Sequence, residues 1–222
     1  DHGDTDAACR SLVAELGRGG WLAHSAAMDS EGLDVRTLCL IRETLARHDG
    51  LADFAFAMQG LGTGAISLFG TPAQKEEWLP KTREGDAISA FALAARDGNS
   101  YILNGEKTWI SNGGSADVYT LFARTGDAPG AKGLSACILP ADLPGFEVID
   151  RLQVTAPHPL ATLRFTDVRL PASAMLGAPG QGFRIALSVR EVFRSTVAAA
   201  ALGFARRAWY EALARVVSRH VQ

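Results

Sequence analysis

The apolar residues of this chain change their spacing twice, and the order of those changes limits the fold more than any single motif. Up to Asp86 they fall at helical intervals. "LDVRTLCLIRETLARHDG" sets Val35, Leu38, Ile41 and Leu45 along one helix face, with a stop at Gly50. "DTDAACRSLVAELGRGG" offers Asp4 or Thr5 as an N-cap and Gly17 as a stop. "TPAQKEEWLPKTREG" opens with Thr71 as cap, Pro72 at the first helical position and Gln74 completing a capping box. From Ala87 the pattern turns into short runs. "AISAFAL", "SYILNG", "EKTWIS", "DVYTLFART", "GLSACILPA", "FEVIDRL" and "LATLRFTDVRLP" are punctuated by Gly, Pro, Asn and Asp. That spacing predicts a small antiparallel barrel or sandwich. Past Pro171, "GQGFRIALSVREVFRSTVAAAALGFARRAWYEALARVVSRHVQ" contains no proline and reads as one or two long helices.

The order predicts an α+β chain. An N-terminal helical domain is expected over 1–86 and a central antiparallel β-barrel over 87–172. The start of a C-terminal helical bundle, only partly present, is expected over 173–222.

Charge and cysteine content exclude several classes. The 222 residues carry a formal net charge of -2 and no basic stripe, so nucleic acid is not an expected partner. Cys9, Cys39 and Cys137 are odd in number and widely spaced. They predict neither a disulfide framework nor a metal site, but buried thiols in a reducing cytoplasm. "DHGDTDAACR" is polar and acidic, unlike a secretory signal. The most apolar stretch, "LADFAFAMQGLGTGAISLFG", is broken by Asp53, Gln59 and several glycines, which predicts a buried core helix rather than a membrane span.

The stretch "YILNGEKTWISNGG" holds two Asn-Gly pairs with Trp109 between them. Asn104-Gly105 reads as a hairpin turn between two strands. Strict alternation would put Lys107, Trp109 and Ser111 on one face and Glu106, Thr108 and Ile110 on the other. Two readings of the tryptophan stand. It plugs the barrel core, or it offers a flat surface to a planar heteroaromatic ligand whose edge the Ser111 hydroxyl bonds.

"LNGEKTWISNGG" resembles the middle-domain signature of the acyl-CoA dehydrogenase family. "GTPAQKEEWLPKTREGDAISAFAL" resembles the family's last N-terminal helix and first barrel strand. "KGLSACILPADLPGFEV" resembles its later strands, and "FTDVRLPASAMLGAPGQGF" its exit into the C-terminal helices. The segments run in the family's order over nearly the whole chain. The resemblance implies FAD as cofactor and oxidation of an acyl-CoA thioester to 2-enoyl-CoA. It implies electron transfer to an electron-transfer flavoprotein, and a homotetramer or homodimer. It also places Trp109 against the flavin, Ser111 near its N5, Ile110 in backbone contact, and Phe91 and Leu93 on the strand at its other edge. Arg219 matches an arginine that reaches the FAD pyrophosphate, often across a subunit interface. A guanidinium suits that role because it forks onto phosphate oxygens. Read alone, Arg219 is a solvated helix charge. Arg194 matches an arginine beside the substrate passage, and Glu191 falls where some members contact CoA. An oxidase or other flavoenzyme on the same scaffold, or an inactive acyl-CoA-binding relative, are the alternatives.

The implied reaction removes an α-proton, which needs a positioned carboxylate base. Most family members carry a C-terminal glutamate in a stretch like "YEGT", which is not in this sequence. A branch carries it just before the arginine matched by Arg194, and that position is Phe193 here. The base is therefore expected outside these residues, and the catalytic residue is unknown. Two joins also look short of the family pattern: "FAL" into "AARDGN", where a "TEPxAGSD" loop is usual, and "HSAAMDSEGLD". "TAPHPLATLRF" departs again, with Ala156 and His158 in place of an Arg-x-Ser pattern. His158 reads as a site residue or as a surface loop histidine. Phe54 to Ile66 should border the acyl pocket. Small residues there (Ala57, Gly60, Gly62, Gly64) either leave room for the chain or allow close helix packing.

Overall fold

The fold is a computed structural model that describes residues 2–28, 32–93 and 101–219. The two short-looking joins fall at 29–31 and 94–100, outside the described residues. Helices α1 (His2–Arg18), α2 (Val35–His48), α3 (Gly50–Phe69) and α4 (Pro72–Glu84) come first. Strands β1 (Ser89–Leu93), β2 (Ile102–Ser111), β3 (Val118–Arg124), β4 (Leu134–Pro140), β5 (Phe146–Arg151), β6 (Leu160–Arg169) and β7 (Met175–Leu176) follow, and α5 (Gly182–Arg219) closes the order.

Local chemistry sets the helix ends. Asp49 ends α2 and caps α3 at once, its carboxylate accepting from the Leu51 and Ala52 N–H groups. Gly50 is thus the first residue of α3, not only a stop. The Thr71–Gln74 capping box forms as expected, with Pro72 inside the first turn. Gly17 does not stop α1. It lies inside the helix where a side chain would strike the Glu84 carbonyl, so its role is to let α1 approach the end of α4. The proline-free tail forms one helix, α5, of 38 residues and about 57 Å.

The helices-strands-helices order holds, but the strands do not close an antiparallel barrel. They form two sheets, β1-β3-β4-β7 and β2-β6-β5. The β1–β3 pair is parallel. Parallel neighbours need a crossover, and β2, which belongs to the other sheet, lies within it. The core is continuous from helices to sheets. Phe56 and Ile66 of α3, Leu121 and Phe122 of β3, Leu139 of β4 and Val189 of α5 are all buried in it.

The hairpin expected at Asn104-Gly105 is not there. Both residues lie inside the single strand β2. Leu103 pairs with Val168 and Gly105 with Phe165, so Asn104 alone opposes two residues of β6. The result is a bulge on β6 at Thr166-Asp167. The Asn104 side chain pins it: its Nδ2 donates to Asp167 Oδ1 at 3.0 Å, and its Oδ1 accepts from the Asp167 N–H at 2.9 Å. Asp167 takes a φ of 49° and Gly105 one of 138°. The Asn-Gly pair supplies the backbone freedom of a turn, used instead for a kink between long strands. The second pair, Asn112-Gly113, does make a turn. Buried Asn112 takes a φ of 58° and donates from Nδ2 to the Ser89 carbonyl at 3.0 Å.

Candidate flavin and acyl site

A second bulge builds the site. Lys107 pairs with Leu163 and Ile110 with Ala161, so Thr108 and Trp109 together oppose Thr162. The hydroxyls of Thr108 and Thr162 lie 3.0 Å apart. Strand β5 shifts register on the other side of β6 at the same level, between Val148 and Asp150. Strict alternation fails here because the bulge adds a residue. Thr108, expected on the face of buried Ile110, is exposed instead, and so is Glu106.

The bulge turns Trp109 outward. Its φ is 60°, a left-handed conformation that is a true outlier for a bulky side chain, and the residue is 64% exposed. The core-plug reading therefore fails. Ile110 behind it is buried and Ser111 is half-buried. Among the described residues the Ser111 hydroxyl has no hydrogen-bond partner. Burial pulls the nearby Lys107 ammonium below its usual range.

The chain ties this bulge to a cleft. Ser111 pairs with Leu160, and the Asn112 N–H donates to the Pro159 carbonyl at 2.9 Å. The preceding residues, Ala156 to His158, form one wall of an open cleft of about 440 Å³. Phe54, Ala57 and Met58 of α3 form another wall, and Phe204 of α5 borders it. His158 is part of this wall: its ring sits 4.5 Å from that of Phe54, and its Nδ1–H donates to the Ala156 carbonyl at 2.8 Å. Arg42 and Asp53 also line the cleft, which the sequence reading did not find. No sequence spacing pairs them, because α2 and α3 must fold together first.

Gly60, Gly62 and Gly64 of α3 are not pocket space. A methyl group at Gly60 would stand 2.5 Å from the Phe193 ring, and one at Gly64 would stand 3.0 Å from Val189. At Gly62 it would come within 2.7 Å of the Ala90 nitrogen. All three allow close packing of α3 on α5 and β1, while Ala57 lines the cleft.

Phe91 is half-buried on β1, its ring 4.6 Å from that of Phe122, and β1 packs against β2 across the two sheets. Leu93 ends β1, its backbone in register with Phe122. Glu191 and Arg194 lie exposed on α5, outside the cleft walls. Phe193 between them is buried, so no carboxylate stands at that point. Arg219 is exposed at the end of α5, beyond the contacts of Arg206 with Glu43 and of Tyr210 with Arg47. The described residues do not bring it to Trp109. Among them no cluster of His, Cys, Asp and Glu could hold a metal, and no helix is long and apolar enough to cross a membrane.

Residues 1–86 match the model of the acyl-CoA dehydrogenase N-terminal domain, and residues 84–168 that of the acyl-CoA dehydrogenase middle domain. The chain belongs to the acyl-CoA dehydrogenase family. It is 37% identical over 202 residues to the short-chain specific acyl-CoA dehydrogenase of Megasphaera elsdenii, covering 82% of this chain and 53% of that protein. The chain thus spans about half the length of the curated relatives it matches. The solved butyryl-CoA dehydrogenase of the same organism superposes with a TM-score of 0.77 at 29% identity, covering 95% of this chain and 68% of that one. An acyl-CoA dehydrogenase complexed with FAD from Bacillus anthracis also superposes with a TM-score of 0.77 at 29% identity, covering 90% of this chain and 38% of that one.

The residues present fit a flavin. An indole held outward at a strained φ gives an open aromatic face, and a hydroxyl two residues on gives an edge contact.

Proposed function

We propose that the complete protein binds FAD and dehydrogenates an acyl-CoA thioester to its 2-enoyl product. The observation that carries this reading is Trp109: a bulky residue in the left-handed region, largely exposed, two residues from the Ser111 hydroxyl and one short loop from the cleft. Strain of this kind persists where the surroundings impose it, and it clusters at ligand clamps.

Bound FAD would supply the hydride acceptor. The chain's own residues position the partners. Trp109 would lie against the ring system, Ser111 would donate to its edge, and Ile110 would hold the backbone between them. Phe91 and Leu93 would flank the other edge from β1. The acyl group would enter the adjoining cleft, with Ala57 leaving space and His158 and Phe54 closing one side. The base would come from outside α5, since Phe193 fills the helix position where a branch of the family carries it.

Arg194 and Glu191, on the exposed side of α5, are proposed to meet CoA. Arg219 is proposed to reach the FAD pyrophosphate of a neighbouring subunit. Trp209, Tyr210, Val216 and Val217 are exposed on the same helix. The chain spans about half the length of its relatives, so that face is open to the rest of the protein, and assembly as a homodimer or homotetramer is proposed from the family resemblance. The proposed electron acceptor is an electron-transfer flavoprotein, and the proposed location is the cytoplasm. The domain division at 1–86, 87–172 and 173–222 is retained as part of this reading.

The test is product analysis. Full-length protein reconstituted with FAD is incubated with an acyl-CoA panel and an artificial electron acceptor. A product lighter by two hydrogens, with its double bond next to the thioester, supports the reading. FAD-loaded protein that leaves every thioester unchanged would refute it.

A further inference from the structure

We infer that the buried pair Arg42–Asp53 closes the acyl cleft and selects an acyl group whose far end carries a neutral oxygen, a hydroxyl or a ketone. This inference rests on the reading of the cleft as the acyl site.

Arg42 and Asp53 both line the cleft. Arg42 belongs to α2 and Asp53 to the first turn of α3, and their side chains are only 10% and 5% exposed. The contact is a fork. Nε donates to Asp53 Oδ1 at 2.8 Å and Nη2 to Oδ2 at 2.7 Å. Nη1 donates to the Thr196 hydroxyl at 3.0 Å, and that hydroxyl donates to the Phe193 carbonyl at 2.7 Å. Three elements, α2, α3 and α5, thereby fix one guanidinium.

Its hydrogen-bonding capacity is not used up. A guanidinium has five N–H groups. Asp53 and Thr196 take three of them, and both residues of the pair line the cleft. Asp53 already balances the charge, so a second carboxylate would meet no unmatched cation. A methyl-ended chain reaching this floor would strip water from the remaining donors and give nothing back. A hydroxyl or keto oxygen would accept from them. The side walls, Phe54 and Ala57, remain apolar and suit the methylene stem.

The pair is not required for helix contact alone. Gly60, Gly64 and Phe193 already seat α5 on α3, and α5 packs closely on α2 at Gly203.

The experiment compares thioesters matched in heavy atoms: pentanoyl-CoA with 4-hydroxybutyryl-CoA, hexanoyl-CoA with 5-hydroxypentanoyl-CoA, and heptanoyl-CoA with 6-hydroxyhexanoyl-CoA. Binding to the full-length holoenzyme is measured by anaerobic calorimetry with the flavin already reduced, so that no turnover occurs. The expected result is that at one length the hydroxyl-ended thioester binds about tenfold tighter than its methyl-ended partner. The double variant Arg42→Met/Asp53→Leu should reverse that order without leaving an unpaired charge. Methyl-ended chains binding as well or better at every length in the unaltered enzyme would overturn the assignment, and that comparison stands even if the variant fails to fold. An unchanged preference in a folded double variant would also overturn it. Binding of no thioester of either kind would overturn the acyl-CoA reading itself.

Discussion

Phe193 lays its ring in the space that a side chain at Gly60 would occupy, 2.5 Å from where a methyl group would stand. This one contact has two consequences. It fills the glycine notch of α3, so that notch is not acyl space. It also buries the helix position from which a base would have had to act.

Gly60→Ala should therefore destabilise the protein. Both the Phe193 ring and Val189 also crowd Gly64, and Phe193 is buried, so the ring has little room to shift. Overpacking of this type costs about 1–3 kcal/mol. Equilibrium denaturation should show that loss in the midpoint, and Phe193→Leu should recover part of it in the double variant. A neutral Gly60→Ala would mean the interface yields freely.

Trp109→Gly should separate stability from ligand binding. The left-handed φ of 60° costs a bulky residue roughly 1–3 kcal/mol, and glycine adopts it without strain. The exposed ring adds little packing in return. The variant should melt at the same or a higher temperature while its FAD affinity falls at least about tenfold. A lower melting temperature with unchanged FAD affinity would reassign Trp109 to the fold.

Arg42→Met should be among the most damaging single changes in the helical region. It leaves the Asp53 carboxylate buried without its fork. Breaking one side of such a pair costs about 3–5 kcal/mol, whereas replacing both sides is often neutral. A double-mutant cycle with Asp53→Leu should show strong coupling. Additive losses would contradict the pairing.

Stability should fall on the alkaline side. Burial pushes the Cys9 and Cys137 thiols and the Tyr119 phenol up to about 12. Their folded values lie above the unfolded ones. The stability they hold is complete below the unfolded pKa and is lost as pH rises toward the folded one. For the thiols that window opens near pH 9, and for the phenol near pH 10. Each group should remove about 1.4 kcal/mol per pH unit within it. Denaturation midpoints at pH 8, 9 and 10 would show the decline. In the native protein a thiol reagent at pH 8 should modify half-buried Cys39 well before either buried cysteine.

Much of the fold was legible because helix and strand periods survive folding. The Thr71 capping box, the strand runs and the long proline-free tail all appear as the sequence implies. Asn104-Gly105 misled because the same backbone freedom serves a turn and a bulge partner. Only the position of Asp167 on another strand decides between them. Trp109 was legible as a candidate, but its left-handed φ came from two registers meeting at Thr162. Arg42, Asp53 and Thr196 share no spacing and meet only when three helices pack. His158 could not be ranked until the Phe54 ring was beside it.

The deciding measurement is an absorption spectrum of the full-length protein with bound FAD, taken without oxygen before and after each acyl-CoA is added. The flavin band should bleach with at least one thioester, and Trp109→Gly should weaken the complex that shows it. A bound flavin that no thioester bleaches would rule out acyl-CoA dehydrogenation.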